Sequence, residues 1–458
     1  MTESEKPTAT NDEDKGVLDK LLSIFAEVRG GEGLTAIVMT LTVMLLLVGY
    51  YLLKTVREPL IIAGGGAEVK SYATAGQAVL LVGFVQLYAV MTRRLKRMTL
   101  ITVSWSFFAA NLVLFFLLAK IGVPYLGVVF FLWLGCFSLA VIAQFWSFAN
   151  DIYTQEQGKR LFAIVGVGSS VGAVGGSALA EQLIKPVGPY PMMLIVAVIL
   201  GVCLAMVWFV NAREDAKPKQ AKADAKPIGG KAGFAMMLDD RYLLLIGALI
   251  LLLNWVNTTG EYILDKRIIE AANASMAPGL DEAAKNEALK VFVGEFRGNF
   301  FTWVNAIGAI VQLFLVSRIF KYLGVRVALF SLPIIALAAY SIMAFVPIFS
   351  LVRAAKIAEN SCDYSLYNTA KQALWLPTSR EAKYNAKAAI DTFIVRAGDL
   401  LSGGVVLLGT TLGLAVKHFA LINIGLVLLW LFVVVLINRE HKNRSKDEPE
   451  ATPSAVAA

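Results

Sequence analysis

Long apolar stretches separated by short polar turns recur along the whole chain. A helix rises about 1.5 Å per residue, so roughly 20 apolar residues cross the roughly 30 Å hydrocarbon core of a bilayer. On that measure spans are predicted near 34–54, 71–91, 98–119, 124–149, 161–184, 190–211, 241–262, 294–317, 326–346, 348–375, 388–415 and 418–438. The predicted fold class is an all-α polytopic membrane protein with about twelve transmembrane helices. Composition agrees. Hydrophobic residues make up 57% of the chain and charged residues 17%, against about 45–50% and about 25% in soluble domains.

The basic residues cluster in alternate turns. One set comprises Arg93 to Arg97, Lys159-Arg160, the 212–241 segment, Arg318/Lys321/Arg326, Arg380/Lys383/Lys387 and Arg439 to Lys446. The opposite set is sparse: Lys120, Lys185, Lys417 and a 263–293 loop whose bases are balanced by acids. Lys and Arg favour the cytoplasmic side, so both termini are expected there. The net charge of +8 then reflects orientation and gives no argument for a nucleic-acid partner. Residues 1–33 carry eight acidic and four basic residues. That is no Arg- and Ser-rich, acid-poor targeting peptide, and it favours a bacterial inner membrane.

An Ala-, Lys- and Pro-rich segment divides the chain. The expected organisation is a cytoplasmic N-terminal segment (1–33), a six-helix half (34–211), a flexible cytoplasmic linker (212–240), a second six-helix half (241–438) and a disordered cytoplasmic tail (439–458). The halves echo one another. Val85-Gln86-Leu87 and Val311-Gln312-Leu313 each close a second span before a basic loop, and Gly175-Gly176 and Gly403-Gly404 close glycine-bearing fifth spans. Two six-span halves in parallel repeat form a major-facilitator-like layout.

Charges inside apolar spans are the candidate functional groups. Each ion at mid-bilayer costs about 2.5–3.5 kcal/mol on insertion scales. The tenth span carries Arg353, Lys356, Glu359 and Asp363, spaced three, three and four apart and so on one helical face. That face should line a water-filled path or meet opposite charges. Arg396 and Asp399 in the eleventh span read the same way. At the end of the first span, Lys54 and Arg57 share a face and Pro59 is expected to break the helix. Glu261 closes the seventh span just before Asp265-Lys266-Arg267. Cationic groups beside a well-placed acid suit a multiply charged anion, because Arg offers a fork to phosphate and Lys a point charge. The competing reading is that charges at span ends snorkel to the headgroups.

Other features point away from chemistry. Cys136, Cys203 and Cys362 fit neither a disulfide framework nor metal-ligand spacing, and His418 and His441 are the only histidines. No cofactor is expected. Gly168, Gly172 and Gly176, four apart, form a stripe that lets two helices approach closely. Gly158-Lys159-Arg160 lacks the rest of a phosphate-binding loop. The turn Asp151–Arg160, Lys159 included, therefore reads as a gating network at the membrane face. Trp133, Phe145, Trp146 and Phe148 in the fourth span read as core and interfacial belt.

Three stretches carry a family resemblance. They are YYLLKTVREPLI (50–61), FWSFANDIYTQEQGKRLFAIVGVGSSVGAVGGS (145–177), which is the most specific, and LWLPTSREAKYNAKAAIDTFIVRAGDLLSGG (374–404). In these the chain resembles the nucleotide transporters of plastids and obligate intracellular bacteria, the ADP/ATP translocases of major-facilitator type. The resemblance implies exchange of ATP for ADP, with phosphate as a candidate co-substrate. It places the family's functional first-span lysine on Arg57 and its seventh-span glutamate on Glu261. Its lysine before the AAID motif falls on Asn385 or Lys387, of which Lys387 keeps the charge. A fourth-span acid of the translocases falls near Leu134, where this chain is apolar.

Three readings follow. The first is a nucleotide antiporter with Lys54, Arg57, Glu261 and Lys387 at its substrate site and Arg353, Lys356, Glu359, Asp363, Lys159 and Arg396 as cavity or gating groups. The second keeps the transporter but changes the cargo to another phosphorylated or organic anion. The third is a membrane enzyme acting on phosphorylated substrates, for which Asp363, Glu359 and Asp151 are candidates without a nucleophile–base pattern.

Overall fold

The structure is a computed structural model and describes residues 32–215, 233–379 and 381–447. No strand occurs among the described residues. Ten helices among them are long and apolar enough to cross a membrane. The first, Gly33–Arg94, is 62 residues long and breaks at Gly66, where φ is 74° and ψ is −173°. Only glycine takes that conformation without strain, and the break makes two spans of one helix. The segment Phe349–Ala373 is as long as the other spans, but Arg353, Lys356, Glu359, Asp363 and Lys371 make it more polar. With these two counted, the predicted spans are all present as helices.

Two local expectations are corrected. Pro59 does not end the first span; the helix runs through it to the Gly66 break. A proline removes one hydrogen bond without forcing a stop where the surrounding packing holds the helix, and Glu58, Leu60 and Ile61 beside it are buried. The tail expected to be disordered from 439 is helical as far as Asp447. His441 Nδ1 lies 2.9 Å from the Tyr242 hydroxyl, and Arg444 pairs with Asp240 at 2.5 Å, which anchors the extension to the seventh span. The rest of the tail, most of the N-terminal segment and linker residues 216–232 lie outside the described residues.

Helix ends carry the expected caps. Thr154 and Gln157 form a reciprocal capping box at the fifth span (Gln155–Val187). Asp240 caps the seventh (Arg241–Ser275) and Asp281 the eighth (from Glu282). The eighth, tenth and eleventh spans contain π-helical turns at Val311–Leu315, Asp363–Tyr367, Ala382–Ala386 and Ile390–Ile394. Such turns shift the side-chain register within a helix.

By packing, the chain falls into two compact units. One gathers Met1–Thr55, Tyr88–Gly122 and Cys136–Asp224, as far as these are described. Its glycine stripe meets the first span at backbone distance. A Cβ on Gly168 would sit 2.5 Å from the Thr40 carbonyl oxygen, one on Gly172 2.9 Å from the Met44 Cα, and one on Gly176 2.6 Å from the Val48 Cα. The stripe is a helix-packing surface, as its spacing predicts. Trp105, Phe108, Phe137, Phe145 and Phe148 fill the core of this unit.

The other unit gathers Val56–Leu87, Val123–Gly135 and Ala225–Ala458. It joins the end of the first span and the start of the second to the seventh through twelfth spans. Gln77 donates to the Phe131 carbonyl at 2.7 Å. Tyr242, Phe300, Tyr340, Tyr367 and Trp430 are among its largest buried side chains.

Candidate functional site

Within this second unit the helices bring eight charged side chains into one cluster. The seventh span supplies Glu261 and Asp265, four apart and so on one face. The eighth supplies Arg297, and the tenth supplies Lys356 and Glu359. The sides of the hairpin broken at Gly66 supply Arg57, Glu58 and Lys70.

Arg297 is fully buried in the middle. It bonds Asp265, donates to Glu261 at 2.9 Å and stands 3.7 Å from Glu58. Lys70 bridges Glu58 at 2.5 Å and Asp265 at 2.7 Å. Arg57 bonds Glu58, and its guanidinium lies 4.5 Å from the Phe131 ring centroid. Lys356, also fully buried, is 3.0 Å from Glu359 and 3.7 Å from Glu261. The Tyr340 hydroxyl donates to Glu359 at 2.9 Å. Gly260 makes this approach feasible, since a Cβ there would lie 2.9 Å from the Tyr340 ring and 3.1 Å from the Lys356 nitrogen.

Four cations (Arg57, Lys70, Arg297, Lys356) thus face four carboxylates (Glu58, Glu261, Asp265, Glu359). Pairing of this kind allows charges to be held out of water. Most of the cluster is sealed. The Glu261 side chain keeps 26% of its exposure and Arg57 keeps 18%, while Arg297 and Lys356 keep none. What exposure the cluster keeps is thus concentrated at Glu261 and Arg57.

The groups singled out from the sequence divide among several places. Arg57, Glu261, Lys356 and Glu359 meet in the cluster. Arg353 and Asp363 share their helix but leave it. Arg353 donates to Asn299 and lies over Phe296, and Asp363 pairs with Lys371 at 3.3 Å as the π turn begins. Arg396 holds Asp399 at 3.1 Å, and Asp399 accepts from Thr258 at 2.8 Å, which ties the eleventh span to the seventh one turn before Glu261. Lys387 is twelve residues before Asp399, roughly 18 Å of helix, and donates to Gln372 at 2.6 Å. Lys54 belongs to the first unit, with its ammonium 5.3 Å from the Tyr51 ring centroid. The Lys159 side chain lies outside the described residues.

Sequence reasoning passed over Glu58, Lys70, Asp265 and Arg297 as site residues. Arg297 had a usable signal. It stands inside a span, and the cost argument that marked the tenth span marks it equally. Lys70 and Glu58 gave none, because each sits near a span end, where charges are ordinary.

The charged turn of the first unit is built differently. Arg160 pairs with Glu32 at 3.1 Å, Gln157 donates to Glu32 at 3.0 Å, and Arg97 is 3.6 Å from Asp151. Burial, with Glu214 and Glu32 nearby, pushes the Tyr153 phenol up.

Helices of this number and length, with ion pairs sealed among them, define a polytopic membrane protein of major-facilitator-like fold. The solved nucleoside transporter NupG has the same fold, at a TM-score of 0.57 and 12% identity over 88% of this chain and 98% of that one. Residues 126–441 match the family described as TLC ATP/ADP transporter, and the chain belongs to that family. ADP,ATP carrier protein 1 of Chlamydia pneumoniae is 22% identical over 66% of this chain and 64% of its own length. The chloroplastic ADP,ATP carrier protein 2 of Arabidopsis thaliana is 22% identical over 64% of this chain and 51% of its own. The chain thus spans less than two thirds of these relatives.

Proposed function

We propose that the protein exchanges adenine nucleotides, ATP for ADP, across a bacterial inner membrane by alternating access. Membership of the ATP/ADP transporter family over residues 126–441 carries this reading. The distribution of Lys and Arg supports cytoplasmic termini and linker. The repeat of sequence features supports two six-helix halves, 34–211 and 241–438, that rock about the bound cargo.

Arg57, an exposed member of the cluster, receives the nucleotide phosphates, and Glu261 helps to order the cavity around them. Lys54, one helical turn before Arg57, and Lys387 add positive charge along the path. A polyphosphate competes with carboxylates for the same cations, since both are oxyanions that accept charge-assisted hydrogen bonds. Glu261 enters this competition directly: its carboxylate holds Arg297 and faces Lys356.

The test is uptake of labelled ATP into proteoliposomes preloaded with ADP, with empty liposomes and Glu261→Gln as controls. Uptake that requires internal ADP and fails in the variant is the expected result. No uptake by folded protein removes ATP/ADP exchange.

A second reading keeps the transporter and changes the cargo to another phosphorylated or organic anion. Leu134 favours it. The side chain is 1% exposed and apolar, near the position where the family resemblance implies a fourth-span acid. Inhibition of uptake by a panel of unlabelled anions separates the two readings.

A further inference from the structure

Glu58, Lys70, Asp265 and Arg297 form a buried ring that joins the Gly66 hairpin to the seventh and eighth spans. Lys70 touches both acids, at 2.5 and 2.7 Å, and Arg297 touches both from the other side. The two acids of the ring, Glu58 and Asp265, are each 1% exposed, and Arg297 also holds Glu261, which lies outside the ring and keeps 26% of its exposure. Near the ring, Lys266 pairs with Glu68, and Tyr262 donates to the same carboxylate at 3.2 Å. Further along the second span, Tyr72 meets Thr410 at 3.2 Å, and a Cβ on Gly403 would lie 2.8 Å from the Ala75 Cβ. The hairpin is therefore fastened to the seventh, eighth and eleventh spans on the face that carries Gly66.

Separating the hairpin from these spans would keep the pairs Lys70–Glu58 and Arg297–Asp265 but break Lys70–Asp265 and Arg297–Glu58, which is unfavourable for buried charges unless new partners take over. Arg297 is the member that reaches the candidate cargo site, because it also holds Glu261. An anion drawing Arg297 toward Glu261 loosens the hold of Arg297 on Asp265 and Glu58.

We infer that Glu58, Lys70, Asp265 and Arg297 are an ionic lock on this face, and that the lock makes transport an obligatory exchange by tying its opening to an anion bound beside Arg297. The coupling half of this inference rests on the antiport reading above; the lock half stands on the geometry alone.

The experiment uses the full chain in proteoliposomes. Lys70→Met with Asp265→Asn removes one charge of each sign and leaves none unpaired in number. A second pair, Glu58→Gln with Lys70→Met, repeats the test from the other acid. Lys70→Arg serves as the conservative rescue. Two quantities are read: efflux of preloaded labelled ADP with no external nucleotide, and the yield of an Ala75→Cys/Gly403→Cys cross-link. The native cysteines are free, so the cross-link is read against the same variants without the introduced pair.

Both paired variants should release ADP without counter-substrate about tenfold faster than wild type, and their cross-link yield should fall as the open form gains population. Lys70→Arg should restore strict exchange. Strict exchange and wild-type cross-linking in either folded pair overturn the lock. Loss of transport with unchanged cross-linking also overturns it, assigning the charges to the stability of the fold. If wild type itself moves no adenine nucleotide, the antiport reading fails with the coupling half, and the cross-link yield still decides the lock.

Discussion

Two charged regions interrupt this apolar chain, and their surroundings give them different weight. Around the Asp151–Arg160 turn, Arg160 and Glu32 each keep 12% of their side-chain exposure, and Arg97 and Asp151 keep 33% and 44%. Around Arg297, its partners Asp265 and Glu58 keep 1%. An exposed pair such as Arg97 with Asp151 adds about 0–1 kcal/mol, because solvent and salt screen it. A buried pair is different in kind. Losing one partner leaves a bare charge in a medium that cannot solvate it, at about 3–5 kcal/mol. Similar sequence patterns thus produce a partly exposed network in one unit and a cluster in the other where each charge depends on its neighbours.

The strongest way to break this contrast is Arg297→Gln, which leaves four carboxylates facing three cations. It should destabilise the protein by about 3–5 kcal/mol, seen as a large fall in unfolding temperature in detergent. Arg297→Met combined with Asp265→Leu restores three against three and should recover more than half of that loss. If the single and double variants unfold alike, the cluster is not held by charge balance. Next in size, Gly172→Leu drives a side chain into the Met44 backbone and should cost about 1–3 kcal/mol from overpacking. Gly175→Ala, with nothing within 4 Å of the added Cβ, should be neutral or slightly stabilising in the same assay. The smallest effect belongs to Asp151→Asn, 44% exposed and paired with Arg97 at 3.6 Å, at about 0.2–1 kcal/mol and shrinking as salt is raised. A salt-independent loss larger than that of Gly172→Leu would show that the turn is as dependent on its charges as the buried cluster.

The spans were legible because bilayer thickness sets a minimum apolar length, and backbone polar groups in lipid must be satisfied within a helix. The glycine stripe was legible because three- and four-residue spacing defines a helix face. The tenth-span charges were legible as a cost that something must offset, and Lys356 and Glu359 meet partners in the cluster. Other features were local in sequence but decided elsewhere. Pro59 reads as a stop, yet the helix ends at Gly66 because surrounding burial holds it. Arg439 to Lys446 reads as a polar tail, yet Tyr242 and Asp240 catch it through His441 and Arg444.

The sequence by itself determined the membrane class, the number of spans and the helix faces on which Glu261, Lys356 and Glu359 lie. Each follows from periodicity or from the cost of a charge in hydrocarbon, which are properties of one segment at a time. Only the tertiary structure decided that Glu58 and Lys70 close on Asp265 and Arg297, and that Lys387 and Arg353 stand apart from them. Those pairings, Lys70 with Asp265 and Glu58 with Arg297, join residues 195 and 239 positions apart. Partner choice at that distance is set by which helices pack together and by the requirement that every buried ion find an opposite one.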